Sequence, residues 1–532
     1  MAALDRILPA VVHDDGSVHY SSIMSHESDT SPGVCYMVPQ RIIPVIFVPG
    51  IMGSNLKSVG RTQTASQSVW SVDSKRTIGM QWFGRGPARR KELLDPFKTA
   101  VDGSGAISTG TKKSEAELRR RGWGEVAAMS YGSFLVWMEN ALNDADASTE
   151  YGIKGLRAEL MKKLVAEAPG VEPLTYDEVA LSYKYQFPVH AVGYNWLQRN
   201  EDSAQRLNNR IEQFMEHYRS EFGYMCDKVI LVTHSMGGLV ARYYSEVLGG
   251  HPNVLGVVHG VMPATGAAMA YKRVKAGTEG VAGPVLGANA AEVTAVFAQA
   301  PGALQLLPGP DYGMHWLTIT DTNRTISFPK NDPYNEIYLQ RGMWWGLIED
   351  RLLNPLDERK QSVETDWESF ATLIKYQVTP FHSDISQKYH MNTYVFYGDD
   401  VAHKTWGNVA WKRTRRYSYG SVPIPEPTLS SPLSTKSSWN SGIGQQVVSA
   451  DSGKASDGAL FVLQGADERG DGTVPVRSGK APAGQRGVQV CVPYSSIEHE
   501  GAYKDEQSRR FTLWAITKIA YRVKQTSMAY KT

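Results

Sequence analysis

Apolar residues along this chain gather into short runs with little polar alternation. Arg41-Ile-Ile-Pro-Val-Ile-Phe-Val48 is the first, ended by Pro49-Gly50. A run that is apolar at nearly every position predicts a strand buried on both faces, because a strand with one wet face alternates. Val189–Val192, Lys228–Val232 and Val254–Val258 read alike, and Thr393–Tyr397 and Gly487–Val492 are weaker versions. Between these runs the period changes. Leu207, Ile211, Phe214, Met215 and Tyr218 recur at helical spacing and predict an amphipathic helix over Ser203–Phe222. Leu239–Leu248 and Phe511–Lys524 are two further helices. Strands alternating with helices predict the α/β class: a mostly parallel sheet with helices on both faces.

The spacing of the strands divides the chain. About 140 residues separate the first two runs, and about 130 separate Val258 from Thr393. Connections this long carry structure of their own. The expected organisation is an N-terminal arm over 1–40, then a core over 41–266 with an insertion about 57–185. A cap or lid follows over 267–390, and a second core segment over 391–532. A Ser/Pro/Gly-rich stretch about 411–457, with the basic patch Lys412–Arg416, reads as a solvated loop or long hairpin.

Composition narrows the function. Lys+Arg is 56 and Asp+Glu 54, a formal charge of +2, which gives no field for nucleic acid. Three distant cysteines exclude a disulfide scaffold and a Cys-rich metal site. No phosphate loop, dinucleotide fingerprint or metal-ligand spacing occurs, so no cofactor or metal is expected; the acidic loop at 144–150 leaves calcium open. Met1–Pro39 lacks the basic start and apolar stretch of a signal peptide, so a chain made in the cytoplasm is expected. The 13 tryptophans suggest broad apolar surface for a greasy ligand.

The chemistry concentrates in Lys228-Val-Ile-Leu-Val-Thr-His-Ser-Met-Gly-Gly-Leu-Val-Ala-Arg242. A buried strand, a sharp turn and an apolar helix are the setting of a nucleophile elbow, which displays the Ser235 hydroxyl above the carboxyl edge of the sheet. Gly237 supplies the small residue the turn needs, whereas Thr233 stands where the pattern has Gly. The N–H of Met236 is the first expected oxyanion donor and that of Ile51, in Pro49-Gly-Ile-Met-Gly-Ser54, the second. The general base is expected late in the chain, and His499 follows the last strand; His382, His390 and His403 precede it. His234 reads as a packing or oxyanion-loop neighbour. Two acids compete to hold the imidazole: Asp471, between glycines in Gly470-Asp-Gly-Thr-Val-Pro475, is preferred to the Asp399/Asp400 pair.

Pro49–Leu56, His234–Arg242 and Gly470–Pro475 together resemble the α/β-hydrolase branch of lecithin–cholesterol acyltransferase-like and inositol-deacylase-like lipases. Val192-Gly-Tyr-Asn-Trp196 is similar to that branch's Tyr-Asp-Trp-type motif with Asn195 for Asp, and Pro301–Pro308 to a segment of its cap. The resemblance implies the α/β-hydrolase fold with large cap insertions, and its order of Tyr-Gly, hairpin and Gly-Asp-x-Thr-Val turn favours Asp471. The lipase core, the missing signal peptide and the near-neutral charge are also similar to bacterial type VI secretion lipase effectors. That likeness implies an immunity or inhibitor protein and a secretion-apparatus carrier as partners, and a target-cell membrane as the place of action.

The expected function is a serine lipase acting through a Ser235–His499–Asp471 triad on lipid esters, most directly phospholipids. Thr233 keeps a non-catalytic lipid-binding or adaptor protein on the same scaffold as the alternative, and an acyltransferase needs only a different acceptor.

Overall fold

The computed structural model describes residues 38–59, 84–144, 155–278, 287–321, 324–413, 444–449 and 458–530 continuously, and only part of 6–35 and of 67–82. The six apolar runs all form strands of one sheet. They are β1 (Val45–Val48), β2 (Val189–Ala191), β3 (Val229–His234), β4 (Val254–Gly260), β5 (Thr393–Gly398) and β6 (Val488–Tyr494). Their spatial order is β6-β5-β4-β3-β1-β2, and every pairing is parallel. Every residue of β3 and β4 is buried. Successive side chains in a strand point to opposite faces, so both faces of the sheet are covered. This is the α/β-hydrolase arrangement.

Three helices matter for the site: α1 (Asn200–Ser220), α2 (Gly237–Glu246) and α3 (Glu506–Tyr521). The five apolar residues of the 207–218 stripe are all buried along α1, which packs against α2. The α3 helix starts earlier than its apolar period, because the Asp505 side chain accepts the N–H groups of Gln507 and Ser508 and so starts the helix. No described helix is long and apolar enough to cross a membrane.

A second, five-stranded sheet joins segments far apart in the chain. Its order is Arg324–Phe328, Leu317–Asp321, Val409–Arg413, Gly458–Leu463, Gln445–Ser449. The stretch about 411–457 therefore contributes strands to the same sheet as the 267–390 insertion. Of the basic patch, Arg413 pairs with Asp321 at 2.8 Å, and Thr414–Arg416 lie outside the described residues. Of the acidic stretch, Asp144 pairs with Arg157 at 2.7 Å and 145–150 lie outside them. Trp316, Trp344, Trp345 and Trp367 are buried. Trp344 meets Trp411 edge-on and stacks on Phe461, so these aromatics are buried against one another and do not form an open acyl surface.

Besides His234 at the end of β3, three described histidines are buried in or beside the main sheet: His190, His259 and His390. Burial, reinforced by neighbouring positive charge, holds His190 well below its usual value and His259 and His390 down to about 3. The unfolded chain therefore binds protons before the folded one. Their stabilising contribution is fully present above about 6.5 and is lost as pH falls toward the folded values, at up to ~1.4 kcal/mol per histidine per pH unit. The melting temperature is expected to drop steeply from pH 7 to pH 5, and His390→Phe to flatten that slope. A melting temperature constant over this range would contradict the assignment.

Candidate active site

β3 ends at His234 and α2 begins at Gly237, so Ser235 and Met236 make the whole turn. Ser235 sits at φ 52°, a left-handed conformation that costs a side-chain residue ~1–3 kcal/mol unless its surroundings enforce it. They do. The Ser235 N–H donates to the Gly260 carbonyl at the end of β4, at 2.9 Å. Gly237 lets the start of α2 lie on the end of β1: a Cβ there would stand 2.4 Å from the carbonyl oxygens of both Val48 and Pro49. Gly237→Ala is expected to destabilise the fold by about 1–3 kcal/mol and to slow labelling of Ser235 by a fluorophosphonate. An unchanged thermal melt would show that the elbow has more room than these distances allow.

Thr233, the departure from the usual pattern, is accommodated by hydrogen bonding. Its hydroxyl bonds His259 Nδ1 at 2.8 Å, and its carbonyl accepts the Tyr503 hydroxyl at 2.8 Å. A branched polar side chain is tolerated where Gly is usual because its buried hydroxyl is satisfied inside the sheet.

The structure brings Ser235, His499 and Asp471 into one hydrogen-bonded chain. His499 Nε2 lies 2.9 Å from Ser235 Oγ, and His499 Nδ1 lies 2.8 Å from Asp471 Oδ2. A carboxylate only accepts, so Nδ1 carries the ring proton and Nε2 is left bare toward the serine. The other Asp471 oxygen accepts the N–H groups of Thr473 at 2.9 Å and Val474 at 2.7 Å. The His499 N–H donates to the Asp471 carbonyl at 2.9 Å, so the backbone of the two residues is also tied together. Ser235 is 4% and Asp471 1% exposed, which takes the pair out of bulk water.

The two expected oxyanion donors lie on the elbow turn and on the loop after β1, which comes close to it: a Cβ on Gly50 would stand 3.0 Å from the Ser235 Cβ. The loop after β1 has its carbonyls occupied: Tyr194 Oη donates to Pro49 O at 2.9 Å, Gly53 N to Gly50 O at 3.0 Å, and Trp70 Nε1 to Met52 O at 2.8 Å. Among the described residues neither the Ile51 nor the Met236 N–H has a protein acceptor. Backbone donors held this way need little reorganisation when charge develops.

The rival residues are used elsewhere. Asp400 accepts His403 Nδ1 at 2.7 Å, and Asp399 pairs with Arg469 at 2.7 Å. His382 bonds Tyr334 Oη at 2.8 Å and the Gln305 carbonyl at 2.9 Å, and the His390 ring packs tilted against His251 at 4.2 Å between centroids. Two residues that shape the site were not singled out by sequence reasoning. Tyr131 has no local motif to mark it. Tyr194 lies in the Gly-Tyr-Asn-Trp stretch, which was the only available signal.

Neither a protein-family model nor a curated protein matches the chain. A chain of the solved Tle4–Tli4 complex does: 32% identical, with a TM-score of 0.76, covering 90% of this chain and 98% of that one. This protein belongs to the Tle4 family. It shares the α/β-hydrolase fold over nearly its whole length with that relative.

Within this Tle4-family chain the Asn at 195 has a physical reason. Its amide nitrogen donates to the Thr99 carbonyl at 3.0 Å and to Thr99 Oγ1 at 3.1 Å, and its oxygen accepts the Leu197 N–H at 3.3 Å. A carboxylate there would face a carbonyl it cannot bond. The loop that carries Tyr194 onto Pro49 is thereby held from its other side.

Proposed function

We propose that this Tle4-family protein is a serine lipase that hydrolyses carboxylic esters of lipids, most directly phospholipids. The observation that carries the reading is the Ser235–His499–Asp471 chain, at 2.9 and 2.8 Å, beside two free backbone N–H groups. His499 Nε2 takes the Ser235 proton as Oγ attacks the acyl carbonyl. The N–H groups of Ile51 and Met236 hold the oxyanion, each being worth ~10²–10³ in turnover. The protonated His499, steadied by Asp471, returns its proton to the departing alcohol. Water then deprotonated by His499 releases the fatty acid from the acyl-enzyme and restores Ser235.

The burial of Ser235 supports a cap over 267–390 that has to move before a lipid enters. Activity on a triacylglycerol or phospholipid is expected to rise well above proportionality once micelles or vesicles form. A rate proportional to substrate across that threshold would remove the lid.

The Tle4 relative is solved bound to Tli4. For this chain we carry over a cognate protein partner: the immunity protein of a type VI secretion effector that attacks a rival's membrane. The deciding experiment is mass spectrometry of products from a mixed phospholipid extract. Free fatty acid with lysophospholipid, absent in a Ser235-inactivated sample, supports the reading; fatty-acyl transfer to an added alcohol without hydrolysis would make the protein an acyltransferase instead.

A further inference from the structure

The mechanism above moves protons through Ser235 and His499 only, yet the buried His234 beside the serine is bonded on both ring nitrogens. We infer that Tyr131 and His234 form a positioning relay that holds the oxyanion loop and the His499 loop at a fixed separation, so that the N–H donors and the base meet the same carbonyl. This rests on the serine-hydrolase reading and adds two residues to it.

The chain of bonds has one direction. The Gly50 N–H donates to Tyr131 Oη at 3.2 Å, Tyr131 Oη lies 3.0 Å from His234 Nδ1, and His234 Nε2 lies 2.8 Å from the His499 carbonyl. A carbonyl accepts only, so Nε2 carries the ring proton. Nδ1 is then bare, and the Tyr131 hydroxyl donates to it while accepting from Gly50.

Neither member of the relay titrates in the working range. Burial first, and the neighbouring His499 second, hold the His234 imidazole down to about 3, and burial pushes the Tyr131 phenol up. The pair is a strut and not a proton carrier.

The relay grips parts whose placement decides the reaction. One end is Gly50, the residue before the proposed donor Ile51. The other is the backbone of the proposed base, whose N–H is already tied to Asp471. Tyr131 reaches this position from a wide π-helical turn, Ala128–Gly132, a form often found at functional sites. The same turn takes a second hold on the His499 loop, where Ser130 Oγ donates to Glu500 Oε1 at 3.3 Å. Gly50 has no side chain because a Cβ there would lie 2.8 Å from His234 Nδ1.

The test uses the full-length protein and steady-state hydrolysis of a short p-nitrophenyl ester. His234→Phe keeps the ring volume and removes both bonds; kcat is expected to fall ~10–100-fold with KM within about twofold, since a displacement of about 1 Å costs up to ~10²-fold. His234→Gln places an amide nitrogen near the Nε2 position and is expected to recover most of that loss. Tyr131→Phe is expected to lower kcat ~5–10-fold, and the Tyr131→Phe/His234→Phe double variant to be no slower than His234→Phe alone, because the bonds act as a unit. Equal rates for His234→Phe and His234→Gln, fast or slow, would overturn the relay. So would Tyr131→Phe at the wild-type kcat, and that near-isosteric variant decides the matter if His234→Phe does not fold. A wild-type protein that a fluorophosphonate fails to label at Ser235 would sink the hydrolase reading itself, whereas a labelled wild type with unimpaired variants would sink the relay alone.

Discussion

Ser235→Ala is expected to hydrolyse a short p-nitrophenyl ester at least ~10⁴-fold more slowly than wild type. The substitution removes the oxygen that lies 2.9 Å from His499 Nε2. It disturbs little else. Ser235 lies at φ 52°, so alanine inherits the same strained backbone, and the bond from the residue 235 N–H to Gly260 O remains. Thermal melts of the two proteins should therefore superimpose within a few degrees while the rates separate by orders of magnitude. The proposed oxyanion donors stay in place, so a residual rate above the uncatalysed one should persist. Equal hydrolysis by the purified variant and wild type would mean that another nucleophile carries the activity.

Asp471→Asn is expected to lower kcat ~10³–10⁴-fold. An asparagine can keep the N–H groups of Thr473 and Val474 on its oxygen, because Asp471 Oδ1 already accepts both. Its amide nitrogen then faces His499 Nδ1 as a donor. The ring answers by moving its proton to Nε2, and an Nε2–H cannot take the serine's proton. The loss is one of tautomer and not of fold. Asp400→Asn is the control, because Asp400 bonds His403 and the Ala402 N–H and does not touch the His499 ring. It is expected to stay within about tenfold of wild type, an effect typical of a residue outside the reacting groups. A larger loss for Asp400→Asn than for Asp471→Asn would reverse the assignment of the acid.

The elbow was legible because its signals are local. A buried strand, a turn with Gly237 and an apolar helix occupy 14 consecutive residues, Val229–Arg242. The ends of helices were less legible where a cap outruns the apolar period, as Asp505 does for α3. The tryptophans misled for a different reason. Composition counts aromatic area but does not say which side of a surface it lies on, and Trp316, Trp344 and Trp345 turn out to be buried in the interior. Tyr131 could not be read at all: its partners Gly50 and His234 lie 81 and 103 residues away, and nothing around it marks the pairing.

By itself the sequence determined the fold class, the six strands and the placement of a serine on a strained turn, because hydrophobic period and turn chemistry act between residues that are near neighbours in the chain. Tertiary structure brought His499 and Asp471, expected from their order in the chain, onto that serine, and it alone decided how Thr233 is accommodated and how Tyr131 and His234 join the two loops. These are contacts across tens to hundreds of residues, and they exist only after the sheet has stacked its strand ends side by side.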